Sequence, residues 1–403
     1  MREAVITDVR YRMTLTAIRS LGKKGIPITA VEFEDSEPVE RMGFYSKYVT
    51  HCRIVPNPSV DEELFVNGLM TIGKDIYSRT GEKPILIVTG SKSMAVLTKN
   101  FVKLLPYYEF NLVDLETYYE ANNTYKLSKI AEMAEVPFPK TTFLKEDETI
   151  FMLSQRIAYP VVIKYREGEK LPLKAHERYK IVHKAEEFVN HYSIMHSIQP
   201  QPLVQEYISG AGYGVSVVFD SSHRPVEIFC HKRLREYPVS GGPSTLCESI
   251  WDERMVGYAI KLLAALKWKG FAMVEFKGDL KGDLRLMEIN PRFWGSMPLS
   301  LIAGCDMPFA YYKSAMQLKT KHLGHAQFRN RYRLHTKMQY LVQDTLATIG
   351  YFKKGHYNPL ILIRFMIDIL DPRVKDGLFT LDDVQPGIMY IRQALFNRKK
   401  KAP

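Results

Sequence analysis

The chain has 403 residues, 46% apolar and 25% charged, a globular balance that excludes wholesale disorder and leaves room for two or three domains. Its net charge of +12 is unevenly placed: residues 319–403 carry 16 Lys/Arg against 6 Asp/Glu, a net of +10, while the preceding 318 carry 40 against 38, a net of +2. A uniformly basic nucleic-acid binder does not fit this count; a near-neutral body with a basic C-terminal appendage does.

The first hundred residues alternate strand and helix signals. AVIT (4–7) reads as a strand, 14–24 as a helix with Leu15, Ile18 and Leu21 on one face, and ITAVEF (28–33) as the next strand after the stop at Gly25. Residues 61–77 have helical periodicity, and the apolar run ILIVTG follows Lys83-Pro84. This alternation predicts a small, mostly parallel α/β sheet. No GxGxxG follows the first strand, where Asp8-Val9-Arg10-Tyr11-Arg12 is bulky and charged, so a dinucleotide site is not supported. GLMTIGKD (68–75) imitates a phosphate-binding P-loop but lies inside a helical pattern instead of between strand and helix, and we reject it.

A second unit begins near Asn122. A helical KLSKIAEMA, an extended VPFPKTTFL, a helix near 148–157 and the strand YPVVIK precede a polar loop, the strand YKIVHK and the helix AEEFVNHYSIM. Strands then dominate: PLVQEYI, GVSVVF, PVEIFCHKRL, FAMVEFK and RLMEINPRF, with a helix at 251–267. Past about residue 320 the pattern is helical and basic, ending RKKKAP. The apolar run LILIRFMIDIL (360–370), broken by Arg364 and Asp368, is too short to span a bilayer. Its Leu, Ile and Phe residues favour a cap packed on the preceding domain, with peripheral contact to a membrane as the alternative. MREAVITDVRYRMTLTA lacks a signal-peptide core, and the scattered Cys52, Cys230, Cys247 and Cys305 suit a reducing compartment, so a cytoplasmic protein is expected.

The chemistry concentrates in FAMVEFKGDLKGDLRLMEINPR. Gly278-Asp279 and Gly282-Asp283 predict a hairpin turn between two apolar strands. Strand alternation puts Glu288 and Asn290 on one side with Leu284 and Leu286 behind them, and cross-strand pairing brings Glu275 alongside. Two carboxylates and an amide oxygen suit a hard cation such as Mg²⁺, which shares its shell with substrate phosphates. Lys164, ending an apolar strand, is either a phosphate ligand or a solvent-facing edge lysine. His231, Arg233 and Arg235 alternate on one strand face, a cationic row suited to a polyanion, and SGGPST (240–245) follows as a loop. No HExxH, CxxC or GxSxG motif is present.

This order of elements resembles the ATP-grasp superfamily, especially carboxylate–amine ligases and the ATP domain of carbamoyl-phosphate synthase. The resemblance rests on YPVVIK, the QEYI segment, the 13-residue step from Glu275 to Glu288, and Glu288-Ile289-Asn290-Pro291-Arg292. It implies a fold of class α/β plus α+β, with a pre-ATP-grasp α/β domain at 1–118 and an ATP-grasp domain at 119–320, its subdomains about 119–200 and 201–320. A basic helical segment at 321–403 follows. ATP and Mg²⁺, or Mn²⁺ in its place, are the implied cofactors. Lys164 and Lys126 would meet phosphate, with Lys170 and Arg178 closing over it, and Gln205, Glu206, Tyr207 and Ile208 would hold adenine. Glu275, Glu288 and Asn290 would ligate the metal; Arg292, with Arg233, Arg235 and His231, would act on the transferred group. Where relatives carry a ribose-binding acid after the hinge, this chain has Gly212. The implied reaction joins a small carboxylate to an amine, or to a thiol, through an acyl phosphate. Carboxylate or carbamate phosphorylation without amine transfer, and a non-catalytic ATP-binding protein on a membrane surface, are the alternatives; a homodimer stays open.

Overall fold

Four short parallel strands, β1 (Ala4–Ile6), β2 (Ile28–Phe33), β3 (His51–Val55) and β4 (Ile85–Ile87), form the first sheet in the order β3-β2-β1-β4. The structure, a computed structural model, describes residues 1–168, 171, 173, 177–237, 242–279, 281–318, 323–353 and 359–401. Every residue of β1, β2 and β4 is buried, as parallel strands covered on both faces must be. The unpredicted β3 leaves Cys52, Arg53 and Ile54 exposed at the sheet edge, so its sequence shows no buried run. The helix Glu62–Thr80 begins where the Asp61 carboxylate accepts the Leu64 N–H at 2.8 Å and ends at Gly81, whose φ of 73° is left-handed. The P-loop-like string lies wholly within it, and a side chain at Gly73 would run into Tyr107 and Tyr108. Its glycine serves packing. At the end of β1 the buried Asp8 accepts hydrogen bonds from Thr7 and Ser93 at 2.5 and 2.9 Å. A carboxylate therefore fills the place where a dinucleotide would require open backbone amides.

The second sheet is small and antiparallel: β5 (Thr141–Thr142), β6 (Val161–Lys164), β7 (Tyr179–Val182) and β8 (Leu203–Glu206), in the order β5-β8-β6-β7. Val161, Ile163 and Val204 pack with Leu153, Phe188, Tyr192 and Met195 from two helices, Ile150–Arg156 and Ala185–Ile198. This core is drawn from its own stretch of chain.

The third sheet comprises β9 (Gly212–Phe219), β10 (Pro225–Glu236), β11 (Ser244–Ile250), β12 (Gly270–Gly278), β13 (Leu284–Asn290), β14 (Lys337–Gln339) and β15 (Val374–Asp376). Their order is β13-β12-β9-β10-β11-β14-β15, antiparallel except for β14 with β15. Its apolar residues share cores with the first sheet. Val5, Val31 and Leu86 cluster with Val215, Trp268 and Val274, and Ile6, Leu15 and Ile87 cluster with Phe229, Phe293 and Tyr311.

The C-terminal region departs from the expected helical segment by supplying β14 and β15. Strands of three residues are too short to register as a period-two pattern. Arg235 ties the region down, donating to Asp344 at 2.6–3.1 Å and to Asp368 at 2.8 Å, and Arg19 bonds Asp383 at 2.9 Å. The region thus packs on the body, and its most apolar helix, Pro359–Leu370, does so through Phe365 and Asp368 and not through its other apolar side chains. Of that helix's described side chains Phe365 and Asp368 are buried, while Leu362, Ile363, Met366, Ile367 and Leu370 are exposed. Among the described residues no helix is long and apolar enough to cross a membrane.

Asp344 is fully buried and bonded to both Arg235 and Thr245. Asp344→Ala should lower stability by about 3 kcal/mol, the low end for a broken buried pair because Asp368 still faces Arg235. Urea unfolding measures this, with the exposed Arg373→Ala as a control that leaves the midpoint unchanged.

Candidate functional site

The hairpin β12–β13 sets the geometry. Its turn closes through Asp279 N–H to Asp283 O at 2.9 Å, with Gly282 at φ 83°. The register pairs Met273 with Asn290 and Glu275 with Glu288; a bulge then shifts the next pair to Phe276 and Leu286. Leu284, Leu286 and Ile289 consequently enter the core, while Glu288 and Asn290 line a cleft. Simple alternation, which put Leu284 and Leu286 behind Glu288 and Asn290 on one face, misses this shift. The three polar side chains meet: the Asn290 amide donates to the Glu275 and Glu288 carboxylates at 3.0 Å each.

Arg233, on β10, answers that negative charge. Its Nη2 lies 2.5 Å from Glu275 Oε2, and its Nη1 lies 3.5 Å from Glu236. Burial pushes the Glu275 carboxyl up, Arg233 draws it back, and the charge of Glu288 raises it further. The cleft, about 570 Å³, opens between the second and third sheets. The second sheet contributes Val162, Lys164 and Gln205 to Ile208; the third adds Arg233, Glu236, Glu275 and Lys277, and beyond it come Arg292 and Trp294. Burial lowers the Lys164 ammonium pKa, Glu288 partly restores it, and Lys277 adds to the lowering. Two ammonium groups thus lie near enough to repel one another, an arrangement that a polyanion would relieve.

The segment 205–208 is held from behind. Gln205 is buried and donates to Thr141 Oγ1 at 3.1 Å, the Glu206 carboxylate accepts the Lys140 N–H at 3.0 Å, and the Tyr207 N–H bonds Pro160 O at 3.2 Å. The side chains of Gln205 and Glu206 are committed to the strand, and Tyr207 carries Lys277 over its ring at 5.7 Å. Arg292 reaches across to the first sheet's unit, donating to Ser91 Oγ at 2.5 Å where the helix Ser91–Leu104 begins.

Residues 198–338 match a family described as ATP-grasp in the biosynthetic pathway with Ter operon. No curated protein matches the sequence. Among solved structures the chain is similar to biotin carboxylase from Campylobacter jejuni in a β,γ-ATP complex (TM-score 0.63, 16% identity, 84% of this chain and 74% of that one). It is also similar to L-amino acid ligase from Bacillus licheniformis (0.57, 14%, 84% and 78%) and to the ADP complex of PurK, an N5-carboxyaminoimidazole ribonucleotide synthetase (0.59, 11%, 87% and 85%). The chain has the ATP-grasp fold.

Several predicted residues do not reach this ATP-grasp cleft. His231 is fully buried beside Gly214, its Nε2 2.9 Å from Ser296 Oγ; burial, reinforced by the Arg233 charge, pushes its pKa down to about 3. Arg235 points to Asp344 and Asp368. The expected cationic row breaks because register shifts at 233–235 and 235–236 interrupt the alternation of β10. Lys126 is exposed in the first turn of the helix Thr124–Met133 and does not line the cleft, although Thr124 and Leu127 do. Lys170 lies outside the described residues, as do Ser240 and Gly241 of the glycine-rich loop, whose Gly242, Pro243 and Ser244 line the cleft. Arg178 lines it too, its Nε donating to Leu173 O at 3.0 Å. Sequence reasoning passed over Lys277, Glu236 and Trp294. Lys277 was within reach, since Met273, Glu275 and Lys277 follow the two-residue period of β12. Glu236 was not. Its carboxylate comes within 3.2 Å of where a Cβ at Gly212 would stand, a proximity that joins two strands.

The donors fit a hard cation that brings its own anionic ligands. Among the described residues no three His, Cys, Asp or Glu side chains converge, and the cluster here is two carboxylates and an amide. Magnesium asks for such a partial set, completed by water and phosphate oxygens. Two further groups call for an acceptor: Arg233 Nε and Trp294 Nε1 are buried without a hydrogen-bond partner.

The depressed His231 pKa has a signed consequence. The unfolded chain takes up this proton near pH 6.5 and the native state near 3, so stability is complete above 6.5 and falls as pH drops through that window. From pH 6.5 to 5 the wild type should lose about 2 kcal/mol more than His231→Gln, measured by urea unfolding at each pH.

Proposed function

We propose that this protein is an ATP- and Mg²⁺-dependent ligase that activates a carboxylate as an acyl phosphate and transfers it to an amine, releasing ADP and phosphate. The supporting observation is the convergence of Glu275, Glu288 and Asn290 with Lys164, Arg233 and Arg292 in one cleft between two sheets. The similarity of the fold to an L-amino acid ligase and to PurK in an ADP complex supports the reaction class. A 2-oxoglutarate carboxylase domain of similar fold, from Hydrogenobacter thermophilus, was solved with MgADP and bicarbonate, which supports the choice of cofactors. The buried thiols of Cys230, Cys247 and Cys305 suit a cytoplasmic setting.

In this reading the base lies against Tyr207 and Ile208, and Glu236 takes the ribose in place of the acid missing at Gly212. Glu275, Glu288 and Asn290 would hold the metal, Mg²⁺ or Mn²⁺, which would supply neutralisation of the phosphate charge. Lys164 and Lys277 meet the phosphate chain from opposite sheets. Arg292, fixed by Ser91, stabilises the charge that spreads over the transferred phosphoryl oxygens. The free N–H groups of Arg233 and Trp294 orient the carboxylate that attacks phosphorus. The amine then displaces phosphate from the acyl carbon.

A screen of carboxylates and amines for Mg²⁺-dependent ADP release tests the reading. One carboxylate and one amine should both be needed, and ADP release with a carboxylate alone would favour simple phosphorylation. With a turning-over pair, Glu288→Gln or Arg292→Ala should cut the rate roughly 10²–10³-fold, as losing one charge-stabilising contact does elsewhere. Glu236→Ala should raise the KM for ATP while leaving kcat near wild type, since a ribose contact binds ground and transition states alike.

A further inference from the structure

The helix Pro359–Leu370 is amphipathic in the reverse sense. Its acid, Asp368, is buried against Arg235 and Lys337 at 2.8 and 3.0 Å, while Leu362, Ile363, Met366, Ile367 and Leu370 face outward. A second exposed apolar stripe, Val384, Ile388, Ile391 and Leu395, follows the helical period through the start of the helix Gln385–Lys401. Soluble surfaces rarely leave contiguous apolar faces of this kind uncovered.

Charge decides what covers them. All six acids of residues 319–403 are engaged. Asp344 and Asp368 hold Arg235, Asp371 holds Arg373, Asp382 holds Lys23, and Asp383 holds Arg19. Asp376 accepts the N–H groups of Leu341, Leu378 and Phe379. Meanwhile Arg364, on the apolar helix itself, and Lys375 and Arg392 are exposed, and the sequence continues Arg398-Lys399-Lys400-Lys401. An outward face of Leu, Ile and Met that also carries the exposed Arg364, in a segment of net charge +10 whose acids are all engaged, matches the boundary of an anionic bilayer, where acyl chains take the apolar side chains and headgroups take the cations. A second copy fits poorly. Two-fold pairing would set this basic surface against itself.

We propose that the helix Pro359–Leu370 seats the protein on anionic lipid membranes as an interfacial helix lying in the bilayer surface. This does not depend on the reaction proposed above. The test is flotation of the full chain with phosphatidylcholine vesicles and with vesicles of phosphatidylcholine mixed with phosphatidylglycerol. The protein should float with the anionic vesicles only, less so at high salt. The double variant Ile363→Glu, Ile367→Glu should lose about tenfold or more of that binding with an unchanged melting temperature, because both side chains are exposed. The milder Leu362→Ser should lose part of it. Absence of flotation with anionic vesicles, or binding untouched by these substitutions, overturns the proposal. So does a wild-type dimer in solution that the double variant dissociates while vesicle binding stays at background, which would assign the face to a second copy.

Discussion

Two carboxylates facing one another across a β-hairpin cannot both be ionised away from water without opposite charge close by. That constraint organises the cleft. Glu275 and Glu288 stand at paired positions, the Asn290 amide sits between them, and Arg233 lies against Glu275. Lys164, on the second sheet, feels the charge of Glu288 on the third, which requires the second sheet to stand over the third. The cations that balance the acids are the ones a triphosphate would meet. The same electrostatic problem therefore fixes the resting arrangement and underlies the proposed class of ligand.

The parts of this site that lie within a single hairpin were legible in the sequence. Glu275, Glu288 and Asn290 follow from strand alternation and a turn marked by two Gly-Asp pairs, and Lys164 from its place at the end of an apolar strand. What escaped depends on irregularity or on distance along the chain. The bulge in β13 moves Glu288 off the face of Leu286, and the shifts in β10 separate Arg233 from Arg235, while His231, in regular register ahead of them, is buried against Gly214. Alternation has no means of announcing such shifts. Glu236 beside Gly212 and Ser91 beneath Arg292 arise from strands and helices that meet only after folding.

The fold was legible at the same level. Parallel β1 and β4 show as unbroken apolar runs because both of their faces are covered, and β2 is buried throughout in spite of Thr29 and Glu32, while β3, β14 and β15 lie at or near sheet edges where no such run is needed. The C-terminal region misled for a physical reason. Its apolar helix was expected to be buried because apolar residues usually are, yet the side chain that anchors it is an aspartate held by an arginine. Arg235, expected among the catalytic cations, is instead the bolt that fastens this region to the sheet carrying the cleft.

The three sheets do not share apolar contacts equally. The first and third are fused through common clusters, whereas the second keeps a core of its own. A unit built that way can shift without breaking up a shared apolar cluster, so its movement over the cleft need disturb only the contacts at its margin. The fused pair acts as the anvil, with Arg292 braced on Ser91. The small sheet, carrying Lys164 and the 205–208 segment, is the jaw.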